Sequence, residues 1–159
     1  MSVLNEIKPS TTAEMSVIGC VMIDDSTIHV VREILKPEDF YDKLNKRVYE
    51  EMLYLADSGQ SINISTLMNM LIYDETLNKF NGINLLTESS GMIPSASFIE
   101  EYAYKVKKES TRRKLSLFAD AVKDIVSKPI EDMGSVISSL NDRLYELNEC
   151  TLKVPWRDF

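Results

Sequence analysis

The sequence predicts an all-α protein in which a small globular helical bundle is followed by a long antiparallel helical hairpin. Apolar residues recur at spacings of three and four along most of the chain, which is the period of one helix face. Up to about residue 95 these stretches are short and separated by proline, glycine and capping residues, whereas the later pattern has few breakers. With 44% apolar residues among 159, the chain can form a sizeable core.

The first helix is predicted from residue 11 to residue 23. Thr11 and Glu14 have the spacing of a capping box at its start. Its apolar residues nearly encircle it: Met15, Val17, Ile18, Val21 and Met22. We therefore expect this helix to lie at the centre of the globular bundle.

The stretch from Leu35 to Leu67 predicts a turn and two further helices. Pro37 ends the preceding helix near Leu35 because it biases the residue before it away from the α region. One helix face then carries Leu44, Val48, Met52 and Leu55. Gly59 is typical of a left-handed cap at the helix end, and Asn63 or Ser65 can cap the next helix.

Three carboxylates lie close together in this stretch, on Glu38, Asp39 and Asp42. Such a group is compatible with a metal site or an acid pair. Turn and cap chemistry explains it more simply, because acidic residues are common at helix starts.

The helical pattern weakens between Phe80 and Pro94, where Asn81 with Gly82 predicts a turn and Gly91 a loop. Ser97 and Glu100 then form a second capping-box sequence. We therefore predict a globular subdomain over residues 1–95, the helical hairpin over 96–148, and the start of a linker over 149–159.

The hairpin is predicted from two apolar stripes. Its first helix carries Phe98, Tyr102, Val106, Leu115, Phe118, Val122 and Ile125 on one face, and Pro129 suits the first turn of the second helix. The second helix has a coiled-coil seam with spacings of three and four: Ile130, Met133, Ile137, Leu140, Leu144 and Leu147.

These two helices cannot bury all of their apolar surface on each other, because Val126, Val136 and Tyr145 point away from the shared seam. We expect self-association of the chain through the hairpin. The alternative is that the hairpin folds back onto the globular part.

The net charge of −7 opposes autonomous binding to nucleic acid or to an anionic membrane. One segment of this acidic chain is nevertheless basic, and it contains Lys105, Lys107, Lys108, Arg112, Arg113 and Lys114. This run is a candidate DNA-facing surface. A solvated or salt-bridged face is favoured, because no aromatic residue is interleaved and Glu101 and Glu109 can pair at i,i+4.

Cys20 and Cys150 lack the spacing of zinc or redox motifs, so we expect two reduced cysteines in a cytoplasmic protein. The apolar run from Val17 to Ile23 is too short to span a bilayer and no basic signal sequence precedes it, so no membrane partner is expected.

Four blocks of residues resemble the N-terminal domain of DnaB-family replicative hexameric DNA helicases. The first two are Ala13, Glu14, Ser16, Val17, Ile18 and Gly19, then Leu35, Pro37, Glu38, Asp39, Phe40 and Tyr41. The others are Arg47, Tyr49, Leu55, Gly59, Ile62, Thr66 and Leu67, then Tyr102, Ala103, Val106, Glu109, Ser110, Arg112 and Arg113. The four blocks occur in family order, with nearly family spacing.

Three departures favour a divergent helicase, of phage or plasmid origin. The family has a histidine where this chain has Asn45 and Lys46, and an aspartate where it has Asn63. The double glycine and aromatic of the family are replaced here by residues 81–85, NGINL.

The resemblance implies a collar of a helicase ring, built as a trimer of dimers, that receives the C-terminal domain of primase and a helicase loader during DNA replication. Leu85, Val122 and Ile125 are the candidates for partner docking. ATP and Mg²⁺ would belong to a later RecA-like motor domain, with DNA passing through the ring. No G-x-x-x-x-G-K-[ST] phosphate loop occurs in this chain, so we expect it to be the non-catalytic part, without a cofactor of its own.

A different class of protein also fits the pattern. A stand-alone helical adaptor, such as a primase helicase-binding domain or a helicase regulator, would share a small helical bundle and a hairpin. A linker that continues after Trp156 to a phosphate loop would favour the helicase, whereas a natural stop near Phe159 would favour the adaptor.

Overall fold

The computed structural model describes residues 11–75 and 82–149, and every regular element in these two ranges is helical. The α-helices found there are α1 (Thr11–Ile23), α2 (Ile28–Ile34), α3 (Lys43–Asp57), α4 (Ile64–Leu71), α5 (Gly82–Met92), α6 (Ile99–Val126) and α7 (Met133–Glu149). Short 3₁₀ turns lie at Asp25–Thr27, Pro37–Asp39 and Ala96–Phe98. The predicted all-α fold class is confirmed.

The chain divides into two compact units. The globular unit ends at Lys107 and the hairpin unit begins at Lys108. The division falls inside α6, so the first residues of this long helix belong with the bundle, whereas the sequence pattern placed the boundary after residue 95. The predicted linker lies outside the described residues, apart from Glu149 at the end of α7.

The helix α1 is the central element of the globular unit. It packs against α3, α5 and the turn at Ala96–Phe98. Val17, Ile18 and Val21 are fully buried, as its apolar circumference predicts. Burial raises the pKa of the Cys20 thiol to about 11, so this thiol stays protonated at neutral pH.

The helix α5 differs from the sequence prediction, which gave a turn at Gly82 and a loop at Gly91. Both glycines lie within α5, while Asn81 lies outside the described residues. The helix packs along α1 and buries Leu86 and Ser89. Tertiary packing therefore outweighs the low helix propensity of its glycines.

Close packing between α1 and α5 depends on Gly19. A Cβ atom on this residue would overlap the carbonyl oxygen of Ser89 and would lie 2.9 Å from Cγ1 of Ile93. Backbone atoms cannot swing aside as a flexible side chain can, so only glycine fits between the two helices.

Glu14 is buried and links α1 to the start of α3. Its carboxylate accepts hydrogen bonds from the backbone N–H groups of Tyr41 (2.6 Å) and Asp42 (3.3 Å) and from the side-chain amide of Asn45 (2.9 Å). These donors replace the water that a buried carboxylate loses. The sequence predicted only a local capping role for Glu14 and did not reveal these long-range partners.

Asp39 confirms the predicted cap chemistry and adds a buried ion pair. Its Oδ2 accepts a hydrogen bond from the backbone N–H of Lys36 at 2.9 Å and one from Lys107 Nζ at 2.8 Å. The side chains of Asp39 and Lys107 are only 1% and 6% exposed. This pair ties the turn at Pro37–Asp39 to the start of α6 inside the globular unit.

Local capping interactions mark where several other helical segments begin or end. Asp42 caps α3 through the N–H groups of Leu44 and Asn45, and Asn63 caps α4. Gly59 has a φ of 66°, which confirms the predicted left-handed residue after α3. The prediction of a cap at Ser97 is wrong, because the Ser95 hydroxyl accepts the N–H of Ser97 and caps the turn before α6.

Replacing Gly19 by alanine should destabilise the globular unit. The added methyl group meets the backbone of α5, and overpacking of this kind costs about 1–3 kcal/mol of unfolding free energy. The matched control is Gly91→Ala, because a Cβ at Gly91 meets nothing within 4 Å and alanine is the better helix former. Urea unfolding of both variants tests this, and equal midpoints would contradict the close approach of the two helices.

Replacing Lys107 by methionine should cost about 3–5 kcal/mol, because the Asp39 carboxylate stays buried without its ammonium partner. Lys105→Met is the control on the same helix. Its exposed pair with Glu101 contributes only about 0.3–0.5 kcal/mol. Thermal unfolding followed by circular dichroism separates the two variants, and similar melting temperatures would argue against the buried pair.

Candidate protein-interaction surface on the helical hairpin

The hairpin unit is formed by the second part of α6, the turn 127–132 and α7. Asp132 caps α7, since its Oδ1 accepts the N–H groups of Gly134 at 3.0 Å and Ser135 at 3.3 Å. Lys128 pairs with Asp124 at 2.7 Å on the other side of the turn. Pro129 lies in this turn, so its predicted place in the first turn of the second helix is wrong.

The apolar stripe predicted for self-association stays largely in contact with water in a single chain. Met133, Ile137 and Leu144 are between 48% and 55% exposed. Leu140 and Leu147 are half-buried, and α7 has no buried residue. Ile130 is half-buried too, but its predicted place on the second helix is wrong, because it lies in the turn before α7. Outside the stripe, Val126 and Tyr145 are exposed as predicted, and Val136 is half-buried. A contiguous exposed apolar surface of this kind is typical of a protein interface.

A groove of about 520 Å³ lies between α6 and α7 at the end of the hairpin near Lys108. We call it the base groove, and it is lined by Lys108, Thr111, Arg112, Leu115, Leu144, Leu147 and Asn148. Its leucines come from both helices. The base groove thus combines apolar walls with two cationic side chains.

A second groove, of about 400 Å³, lies at the turn of the hairpin. We call it the tip groove, and it is lined by Asp124, Ile125, Lys128, Pro129, Ile130, Glu131, Asp132 and Val136. Three of its side chains are carboxylates and one is an ammonium group. It therefore has apolar residues like the base groove, but the opposite charge.

The predicted basic run does not form one continuous cationic surface. Lys107 is buried against Asp39, so it does not belong to an exposed DNA-facing set. Lys105 pairs with Glu101 at 2.7 Å, as the i,i+4 spacing predicts, and Arg112 pairs with Glu109 at 3.1 Å. The helix pattern alone could not show that Lys107 is buried in an ion pair, because its partner Asp39 lies 68 residues earlier in the chain.

The three candidates for partner docking lie in two different units. Leu85 is half-buried and packs against the core of the globular unit. Val122 and Ile125 are half-buried on the hairpin, and Ile125 lines the tip groove. A docking role for these residues stays a prediction.

The sequence analysis did not relate the charged side chains at one end of the hairpin to those of opposite sign at the other end. Asp124, Glu131 and Asp132 appear in the sequence as ordinary polar residues of a turn. The signal available was the change of charge sign between residues 108–114 and residues 124–132. It becomes meaningful once the hairpin places these segments at opposite ends.

No cluster of three or more histidine, cysteine, aspartate or glutamate side chains in residues 11–75 and 82–149 could hold a metal ion. None of the helices described is long and apolar enough to cross a membrane.

Comparison with known proteins places this chain in a family. Residues 7–108 match the family model of the DnaB-like helicase N-terminal domain. The chain is 33% identical over 113 residues to the replicative DNA helicase DnaB of Geobacillus stearothermophilus, covering 71% of this chain and 25% of that helicase. It is 28% identical over 145 residues to the replicative DNA helicase DnaC of Bacillus subtilis, covering 84% and 32%. The chain thus spans about a quarter to a third of the length of these relatives.

A solved structure supports the same relationship. The crystal structure of the N-terminal domain of DnaB helicase from Mycobacterium tuberculosis matches with a TM-score of 0.78 and 25% identity. The match covers 86% of this chain and 96% of that one, so it extends beyond the family model. From the family model and this shared helical fold, the chain belongs to the DnaB-like helicase N-terminal domain family.

Proposed function

We propose that this chain is the collar of a replicative DNA helicase, in which hairpins of neighbouring copies pair and build a hexamer as a trimer of dimers. The exposed apolar stripe on α7 is the observation that carries this proposal. Water contact with such a stripe is unfavourable, and a second copy of the same surface would remove it. Membership of the helicase family supplies the context of a ring.

The same layer would dock the C-terminal domain of primase and a helicase loader. Leu85 on α5 and the hairpin residues Val122 and Ile125 are the proposed contacts. Each is half-buried, so it combines a fixed position with an accessible apolar side chain. ATP, Mg²⁺ and unwinding would belong to a RecA-like motor in the part of the helicases that this chain does not cover, in the cytoplasm.

DNA would pass through the ring of the whole helicase and contact this layer weakly or not at all. The chain has a net charge of −7. Within the basic run, Lys107 is buried, and Lys105 and Arg112 are already paired with glutamates. These features reduce the charge available to phosphates.

Replacing Leu140 by aspartate tests the assembly role. A charge placed in an apolar interface costs about 3 kcal/mol, so the dissociation constant of the self-associated form should rise roughly a hundredfold. Sedimentation over a concentration series measures it. The control is Ser139→Asp, which adds the same charge at the neighbouring exposed position. An unchanged mass and melting temperature for the Leu140 variant would refute the seam.

A second measurement tests partner docking. Adding the C-terminal domain of the cognate primase should increase the sedimenting mass, and Leu85→Ala should weaken that binding about tenfold because an apolar contact is lost. Ile83→Ala, on the same helix and 46% exposed, is the control. A chain that self-associates but ignores primase would contradict the docking role and leave the assembly role standing.

A further inference from the structure

A third groove, of about 580 Å³, lies between α3 and α4 in the globular unit. We call it the acidic groove, and it is lined by Arg47, Glu51, Asn69, Met70, Tyr73, Asp74 and Glu75. These residues come from α3, from the end of α4 and from the segment that follows it. All of them belong to the same compact unit, so the bundle itself determines the shape of this groove.

The guanidinium group of Arg47 is held by carboxylates inside the acidic groove. Its Nε donates to Asp74 Oδ2 at 2.7 Å, its Nη1 donates to Glu50 Oε2 at 3.3 Å, and its Nη2 pairs with Glu51. Each of the three guanidinium nitrogens therefore already has an anionic partner. A phosphate or an acidic ligand would have to displace these carboxylates, so the groove is poorly suited to anions.

Negative charge remains in excess around Arg47. The lining of the groove contains three carboxylates, on Glu51, Asp74 and Glu75, and one guanidinium. The surrounding field has the same sign, because the globular unit at residues 9–107 has 15 acidic and 8 basic side chains. The acidic groove therefore attracts a cationic ligand.

Apolar side chains lie beside these charges. Tyr73 is 89% exposed and its neighbour Ile72 is 60% exposed, while Met70 packs against the core and is partly buried. A guanidinium or ammonium group binds well where it can stack on an aromatic ring and pair with a carboxylate. A ligand that carries both a cation and an apolar side chain would use both features of the groove.

We propose that the acidic groove docks a basic peptide segment of a partner protein. An arginine or lysine of that segment stacks on Tyr73 and pairs with the carboxylates of Glu51 and Glu75, and an apolar side chain covers Met70. Nucleic acid does not fit this surface, because its phosphates would meet the excess of carboxylates. None of the lining residues belongs to the contacts proposed above for assembly or for primase, so this inference adds a separate docking site.

A phage-displayed library of random linear peptides, selected on the whole chain, tests the proposal. Peptides that also bind the double variant Tyr73→Ala with Glu75→Lys are first removed, so that those retained depend on the groove. The retained peptides should share an arginine or lysine close to a bulky apolar residue. Both substituted residues are exposed, so the double variant should keep the melting temperature of the natural chain.

Fluorescence polarisation of the best retained peptide then measures each contribution. Its dissociation constant should rise about tenfold or more for Tyr73→Ala and for Glu75→Lys separately. The matched controls are Tyr41→Ala and Glu88→Lys, which alter an exposed tyrosine and an exposed carboxylate outside the groove. The backbone N–H of Tyr41 that binds Glu14 is retained in the alanine variant.

Changes in the peptide separate its charge from its apolar side chain. Replacing its arginines by citrulline removes the charge and keeps the shape, and this change should weaken binding about tenfold, as should serine in place of the apolar residue. Binding should also weaken with added salt, because the paired charges lie near the surface.

Several results would overturn the proposal. They are the absence of any peptide that distinguishes the natural chain from the double variant, a consensus without a cation, equal binding of the citrulline peptide, and single-stranded DNA binding that depends on Tyr73. The proposed assembly is tested separately by sedimentation. A strictly monomeric chain that binds the peptide would support the acidic groove and contradict the assembly.

Discussion

The helix α1 is apolar around nearly its whole circumference, and the globular unit depends on covering it. Water contact is unfavourable for most of its surface, and α3 and α5 pack against it. Gly19 sets how closely α5 can approach, because any side chain there would meet the backbone at Ser89. The helix α5 has glycines near both ends, so its own helix propensity is low. Packing against α1 therefore stabilises it more than its own sequence does.

Two buried carboxylates specify which segments meet around this core. Apolar contacts are non-directional, so they leave several packings similar in free energy. Hydrogen bonds are directional, and a buried charge without its partners is costly. Glu14 therefore fixes the segment from Tyr41 to Asn45 beside α1, and Asp39 fixes Lys107 at the start of α6. The side-chain amide of Asn45 is one of the donors that hold Glu14.

The hairpin has the opposite character, because its apolar surface is incompletely covered by its own chain. Leu140 and Leu147 are half-buried while Met133 and Ile137 remain mostly exposed, which is the state expected of a surface that awaits a partner. The bundle is thus stabilised within one chain, and the hairpin would gain stability by association. Such a division of roles is consistent with the proposed assembly role.

The sequence by itself determined the fold class, the cap chemistry at Asp42, a cap at Asn63 or Ser65, the left-handed Gly59 and the apolar stripe on the second hairpin helix. Each of these depends on interactions within a few residues, or on a periodicity that one segment carries alone. Only the tertiary structure decided that residues 82–92 form a helix, that Lys107 is buried, and that the hairpin ends bear opposite charge. These depend on residues distant in sequence, and a pattern along the chain reports which face is apolar without identifying what that face meets.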